Sequence, residues 1–208
     1  MKNIQIYKKN NTNYEKTILV IGVVHGDEPQ GEFLINEFLN RHDDTYFENG
    51  KNRIFFIPRL NSNNSRKNIN GVDLNRNFPT KNWIKSDEKS DYFGGFEPNS
   101  EEETKTVVEL MSEFKFDAII TIHAPFRIVN YDSGDNCKIA PELADKIALV
   151  LNYPVQKDIG YPTPGSFGTY TGVERKIPTI TIELSEKEDL KELSKKFEKI
   201  FDCLINEF

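Results

Sequence analysis

Thr17-Ile-Leu-Val-Ile-Gly-Val-Val24, followed at once by His25-Gly-Asp-Glu28, is the stretch on which the reading of this chain turns. The run is almost entirely aliphatic and β-branched, so it fits a pleated strand. It is continuous rather than alternating, and that pattern belongs to strands covered on both faces, as in parallel sheets under helices. The four residues after it are polar and ionisable. They fall at the carboxyl end of the strand, where open α/β sheets gather their ligands.

Working outward, Arg53–Pro58, Asp117–Ile122 and Pro178–Leu184 repeat the signal of a short, buried, β-branched strand. Helical patterns fall between them. Pro29 suits a first helical position and precedes an i,i+4 stripe of Leu34/Phe38 and Ile35/Leu39. Ser100 and Glu103 have capping-box spacing ahead of Val107, Met111 and Phe114. Pro141 opens a stripe of Leu143, Ile147 and Val150. Ser185 and Glu188 repeat the capping box ahead of Leu190, Leu193, Phe197, Ile200 and Leu204. Strands alternating with helices predict an α/β fold, a three-layer sandwich around a mixed, mostly parallel central sheet. The segments 59–71, 79–98 and 157–172 are longer than such connections need, and loops of that length tend to carry function.

The 208 residues, 37% of them hydrophobic, provide for one core, so residues 1–208 read as a single domain. A net charge of −6 lacks the clustered cations that phosphate backbones require, which argues against a nucleic-acid partner. The longest apolar run falls far short of a membrane span and no basic-then-apolar leader opens the chain, so the expectation is a cytoplasmic protein without a membrane partner. Cys137 and Cys203 are far apart and read as buried free thiols.

Of three histidines, His25 and His123 each follow a predicted strand, while His42 ends a predicted surface helix and reads as inert. His25-x-x-Glu28 with His123 arriving from a distant strand makes a His₂Glu set, which leaves zinc's fourth position for water. The same residues also read as two satisfied core histidines and a helix-start acid favoured by the dipole. The loop Ser65-Arg-Lys-Asn-Ile-Asn-Gly-Val-Asp-Leu-Asn-Arg-Asn-Phe-Pro79 carries Arg66, Asn75 and Arg76 away from any helix face. A guanidinium fork matches a carboxylate in two hydrogen bonds.

Taken together, His25-x-x-Glu28, the Gly-Val-Asp-Leu-Asn-Arg-Asn-Phe-Pro block, a histidine closing a strand, and the glutamate of Thr181-Ile-Glu183-Leu resemble the zinc metallocarboxypeptidase family over about residues 17 to 185. The resemblance implies that family's fold and one zinc ion on His25, Glu28 and His123. It implies that Asn75 and Arg76 bind the substrate's terminal carboxylate and that Arg66 holds the oxyanion. Glu183 is implied as the general base. Tyr161, just upstream of Gly165-Ser166, is the best match to the tyrosine that closes over substrate, with Tyr170 as its competitor. Phe167 and Gly168 match pocket-lining positions, and neither is charged.

The segments from His123 to Asp132 and from Gly160 to Phe167 look like the bacterial branch that cleaves murein tripeptides between γ-D-glutamate and meso-diaminopimelate during peptidoglycan recycling. A small peptide is therefore the implied partner, with Arg127 and Asn130 as candidates for its polar far end; no oligomeric state follows. Two other readings stay open. One is an N-acyl amino-acid deacylase of the aspartoacylase and desuccinylase type, which shares the His-Gly-x-Glu start. The other is a catalytically silent peptide-binding module.

Overall fold

The computed structural model describes residues 4–10, 12–134, 137–157 and 159–208. Position 158, within the third long loop, lies outside them. Seven strands form one sheet: β1 (Tyr7–Lys9), β2 (Thr17–Ile21), β3 (Arg53–Ile57), β4 (Ala118–His123), β5 (Ile128–Asp132), β6 (Val155–Gln156) and β7 (Thr179–Glu183). Their spatial order is β1-β3-β2-β4-β7-β5-β6. The centre, β3-β2-β4-β7, is parallel, as is β5-β6, while β1 on β3 and β5 on β7 are antiparallel. The α/β expectation with a mixed, mostly parallel sheet holds.

Alternation along the strands sorts the core into two layers. Ile18, Val20, Ile54, Phe56, Ile120, Ile180 and Ile182 face helices α1 (Gln30–Arg41), α2 (Asp44–Glu48), α4 (Ile139–Leu151) and α5 (Leu190–Asn206). Leu19, Ile21, Phe55, Ile57 and Ile119 face α3 (Glu102–Glu113) and the loop residues Leu60, Leu74, Phe78, Phe167 and Tyr170. On this second face the apolar pattern stops partway along the strands. Thr121 and His123 on β4, Thr179, Thr181 and Glu183 on β7, and Asn130 and Asp132 on β5 replace it, Thr121 and Asn130 in register with Thr181, His123 with Glu183 and Asp132 with Thr179. Strand ends that α3 leaves uncovered thus become a polar floor.

Both expected capping boxes fail, for identifiable reasons. Ser100 donates to Glu101 Oε1 at 2.7 Å and accepts from Asn77 Nδ2 at 2.9 Å, so its hydroxyl is spent before α3 begins at Glu102. At α5, Asp189 is the cap, its Oδ1 accepting from Lys191 N and Glu192 N at 2.9 and 3.1 Å. Glu188 instead pairs with Lys196 at 3.0 Å. Helix α4 starts at Ile139, two residues before Pro141, which the first turn tolerates. Strand β2 ends at Ile21 rather than Val24; β1, β6 and α2 carry too few residues to show a period, and β5, Ile128-Val-Asn-Tyr-Asp132, is too polar to show a β-branched run. The two cysteines are free, but half-buried rather than buried. No helix among the described residues is long and apolar enough to cross a membrane.

Candidate active site

The first cluster is built by a close approach of strand end to helix start. A Cβ on Gly31 would lie 1.8 Å from the Gly22 carbonyl oxygen, so the first turn of α1 rests directly on the chain leaving β2. The intervening residues form a tight turn, with Glu28 N donating to the His25 carbonyl at 3.1 Å. Glu28 is thereby folded back over His25. The last residue of β4, His123, arrives from the neighbouring strand.

The side chains converge on the Glu28 carboxylate. His25 Nδ1 is 2.9 Å from Oε1, and His123 Nδ1 is 3.0 Å from Oε2. All three side chains offer ligand atoms within 4.8 Å of one another. The other nitrogen of His25, Nε2, lies 3.0 Å from Asp73 Oδ1, which turns Nδ1 inward. Asp73 is fully buried and also accepts from Arg66 Nη2 at 3.0 Å and from Asn75 N at 2.9 Å. Burial alone raises a carboxyl, but the bond to His25 and the nearby Arg66 outweigh it and hold Asp73 at about 2. Burial likewise disfavours a charged His25, yet Asp73 and Glu28 together lift it to about 9. Glu28 sits far below the usual carboxylate range, because its two imidazole partners outweigh burial.

This donor set fits zinc. Two imidazole nitrogens and one carboxylate are the borderline ligands that zinc accepts in a catalytic site, with one position left over. A ligand histidine tied to a carboxylate through its other nitrogen is the usual outer support of such sites. Asp73 escaped the sequence reading, although it stands inside the Gly71-Val-Asp-Leu-Asn-Arg76 block that was singled out. A lone aspartate next to a loop glycine reads equally well as turn chemistry, and only its burial against His25 distinguishes it.

Around this cluster the structure gathers most of the other expected residues. Glu183 ends β7 in register with His123. It is buried, and its Oε2 has no hydrogen-bond partner. Burial holds its carboxyl above the ordinary value. Asn75, His123, Tyr161 and Glu183 line one polar cavity. Arg76, Tyr161 and Tyr92 line the adjoining groove of about 430 Å³. Arg76 is largely buried; Nη1 donates to the Asn75 carbonyl at 2.7 Å. Asn75 is oriented by Phe167 N, which donates to Oδ1 at 2.9 Å. The Tyr92 ring lies over both guanidiniums, 5.1 Å from Arg66 and 5.2 Å from Arg76, within cation–π range. Nothing in the sequence marked Tyr92, which sits in a charged, irregular stretch of the 79–98 loop.

The two tyrosines separate cleanly. Tyr170 is buried beside Phe78 with Arg175 stacked on it, 3.4 Å from the ring centroid. Tyr161 is 43% exposed and stands between cavity and groove. Asn130 faces the cavity, but Arg127 turns away to the Asn152 carbonyl and the ring of Tyr153.

A parallel-centred α/β sheet carries, at its strand ends, a His₂Glu set that could hold a metal ion, flanked by arginines and by a glutamate with one unpartnered oxygen. The chain belongs to the zinc carboxypeptidase family, whose sequence profile matches residues 1–200. It is 30% identical over 138 residues to murein peptide amidase A of Vibrio campbellii, covering 61% of this chain and 53% of that protein. It is 32% identical over 116 residues to murein peptide amidase A of Escherichia coli K12, covering 50% and 46%. The chain therefore spans about half the length of the curated relatives it matches. The fold is similar to the crystal structure of a murein-tripeptide amidase from Escherichia coli O157, with a TM-score of 0.74 at 24% identity over 91% of this chain and 81% of that one.

Proposed function

We propose that this chain is a zinc-dependent hydrolase that releases a C-terminal amino acid with a free carboxylate, and that its substrate is a cytoplasmic murein peptide cut between γ-D-glutamate and meso-diaminopimelate. The carrying observation is the buried Glu183 carboxylate, whose Oε2 has no hydrogen-bond partner, beside the His25–Glu28–His123 cluster in a cavity that Asn75 also lines. A carboxylate oxygen left free there can take up a proton. The likeness to two murein peptide amidases supports the substrate class.

Zinc bound to His25, Glu28 and His123 would supply Lewis acidity and bring a water's pKa near 7. Asn75 and Arg76 hold the terminal carboxylate and so fix the scissile amide between Glu183 and the metal ligands. Glu183 takes the proton of the attacking water at its free Oε2. It then hands that proton to the leaving amine, so one group serves as base and acid. Arg66, braced by Asp73 and Tyr92, directs its remaining N–H groups at the oxygen on which negative charge develops. Tyr161 closes over the bound residue and excludes water.

Mass spectrometry of L-Ala-γ-D-Glu-meso-diaminopimelate with zinc-loaded protein tests this reading. Free diaminopimelate is expected from the wild type. Glu183→Gln should lose about 10²–10⁴ in rate while binding zinc stoichiometrically. No release, together with turnover of N-acetylaspartate or a similar N-acyl amino acid, would replace the peptidase reading with a deacylase one.

A further inference from the structure

Helices α4 and α5 pack side by side on the sheet face opposite the polar floor, and a groove of about 450 Å³ opens between them. Its lining shares no residue with the cavity or the groove at the strand ends. Ile147, Ile200 and Leu204, all members of the core beneath, form its floor. Leu149 and Val150 stand on its α4 side, and Leu149, at 84%, is the most exposed large apolar side chain among the described residues. A single exposed leucine is ordinary, but one beside an open apolar floor makes a continuous patch, and such patches mark contact surfaces.

The charges around the groove say what the contact is with. Lys146, Lys199, Asp202 and Glu207 line it, two of each sign. A rim of zero net charge gives no steering to a polyanion, an anionic membrane or a strongly acidic or basic peptide, each of which calls for one sign. It suits a surface that carries the same two signs. Elsewhere on α5 charged side chains pair within the chain: Lys195 with Glu192 at 2.7 Å, Lys196 with Glu188 at 3.0 Å and Glu198 with Arg41 at 3.4 Å. Lys199 and Glu207 form no ion pair among the described residues, and both are exposed.

Their spacing is symmetric. Cys203 lines the groove four residues after Lys199 and four before Glu207. All three therefore lie along one face of α5, with a charge about 6 Å to either side of the thiol. A second α5 laid antiparallel on this one, with a two-fold axis at Cys203, sets each residue before Cys203 against the residue equally far after it in the other copy. Lys199 then meets the partner's Glu207, Glu207 meets the partner's Lys199, and the two thiols face each other. That reciprocity is what a closed two-fold contact requires of a surface.

We propose that this groove is the interface of a symmetric dimer of the chain, with the two α5 helices antiparallel about Cys203 and the two grooves face to face, so that Leu149 of each copy is buried against the other. The apolar floor and Leu149 supply the attraction, and the two Lys199–Glu207 pairs set the register. Helices of 13 and 17 residues offer a face of roughly 20 by 25 Å, about 500 Å² per copy in projection. That is the lower bound of a specific interface, and it makes a dissociable dimer. The inference does not rest on the reaction proposed above.

Sedimentation equilibrium of the zinc-loaded protein over a range of concentrations tests it, and a reversible monomer–dimer equilibrium is expected. Leu149→Asp should leave monomer only, with an unchanged thermal midpoint, because that side chain is already in water in the monomer. Glu207→Lys should raise the dissociation constant about tenfold or more, by setting like charges against each other twice. The double variant Lys199→Glu with Glu207→Lys reverses both signs and should restore the dimer. A short bis-maleimide should join two wild-type chains, and two chains of Cys137→Ser, but not two of Cys203→Ser. A protein that stays monomeric at every concentration would overturn the proposal and leave the groove to a different partner. A dimer indifferent to Leu149→Asp and to the charge reversals, or one cross-linked as well in Cys203→Ser, would place the interface elsewhere and overturn it too.

Discussion

At the scale of single residues, the site depends on which atoms are left over once the internal bonds are made. His25 spends Nε2 on Asp73 and turns Nδ1 to Glu28, Arg66 spends one nitrogen on the same Asp73 carboxylate, and Glu183 keeps Oε2. Asp73 thus orients a candidate metal ligand and an arginine at once, and its loss should be felt through the metal. Asp73→Asn should lower zinc affinity about 10- to 100-fold, read by competition against a chelator, while the free protein retains its fold. Unchanged zinc affinity would mean that His25 is held by packing alone.

At the scale of elements, loops rather than helices carry the substrate-facing groups, and buried polar side chains hold those loops. Asn77 donates to the Gly94 carbonyl and Ser100 Oγ and accepts from Glu101 N and Thr104 Oγ1, which ties the 79–98 loop to the start of α3. That tie brings Tyr92 over the two arginines. Helix α5, by contrast, is held by its apolar stripe and by Asp189 at its N-terminus. Asp189→Ala should cost about 1 kcal/mol in denaturant unfolding. Ser185→Ala should change stability by less than about 0.5 kcal/mol, since that hydroxyl caps nothing in the helix. The reverse order would reinstate the capping box that the sequence suggested.

At the scale of the whole molecule, His25 and Glu28 come from the turn between β2 and α1 and His123 from the end of β4, so an ion held by them would cross-link the centre of the sheet. A group that binds only the folded chain stabilises it by mass action, about 2.7 kcal/mol at a hundredfold excess over Kd. Adding zinc should raise the thermal midpoint, and removing it with a chelator should lower the midpoint again. His123→Ala should show neither shift. A midpoint indifferent to zinc would separate the site from the stability of the sheet.

The sequence by itself determined the central strands, four of the helices and the His25–Glu28–His123 group that could hold a metal. Those signals are local or repetitive: β-branched runs, i,i+4 stripes, and ionisable groups directly after strands. It also placed Arg66, Asn75 and Arg76 on one loop. Only the tertiary structure decided which tyrosine faces the cavity, because Tyr161 and Tyr170 differ in burial and not in local pattern. The same holds for Asp73 and Tyr92. Each looks like an ordinary turn or surface residue until long-range packing buries Asp73 against His25 and lays Tyr92 over two guanidiniums. Caps failed for the same reason, since a hydroxyl at capping distance in sequence bonds whichever partner the fold brings nearest.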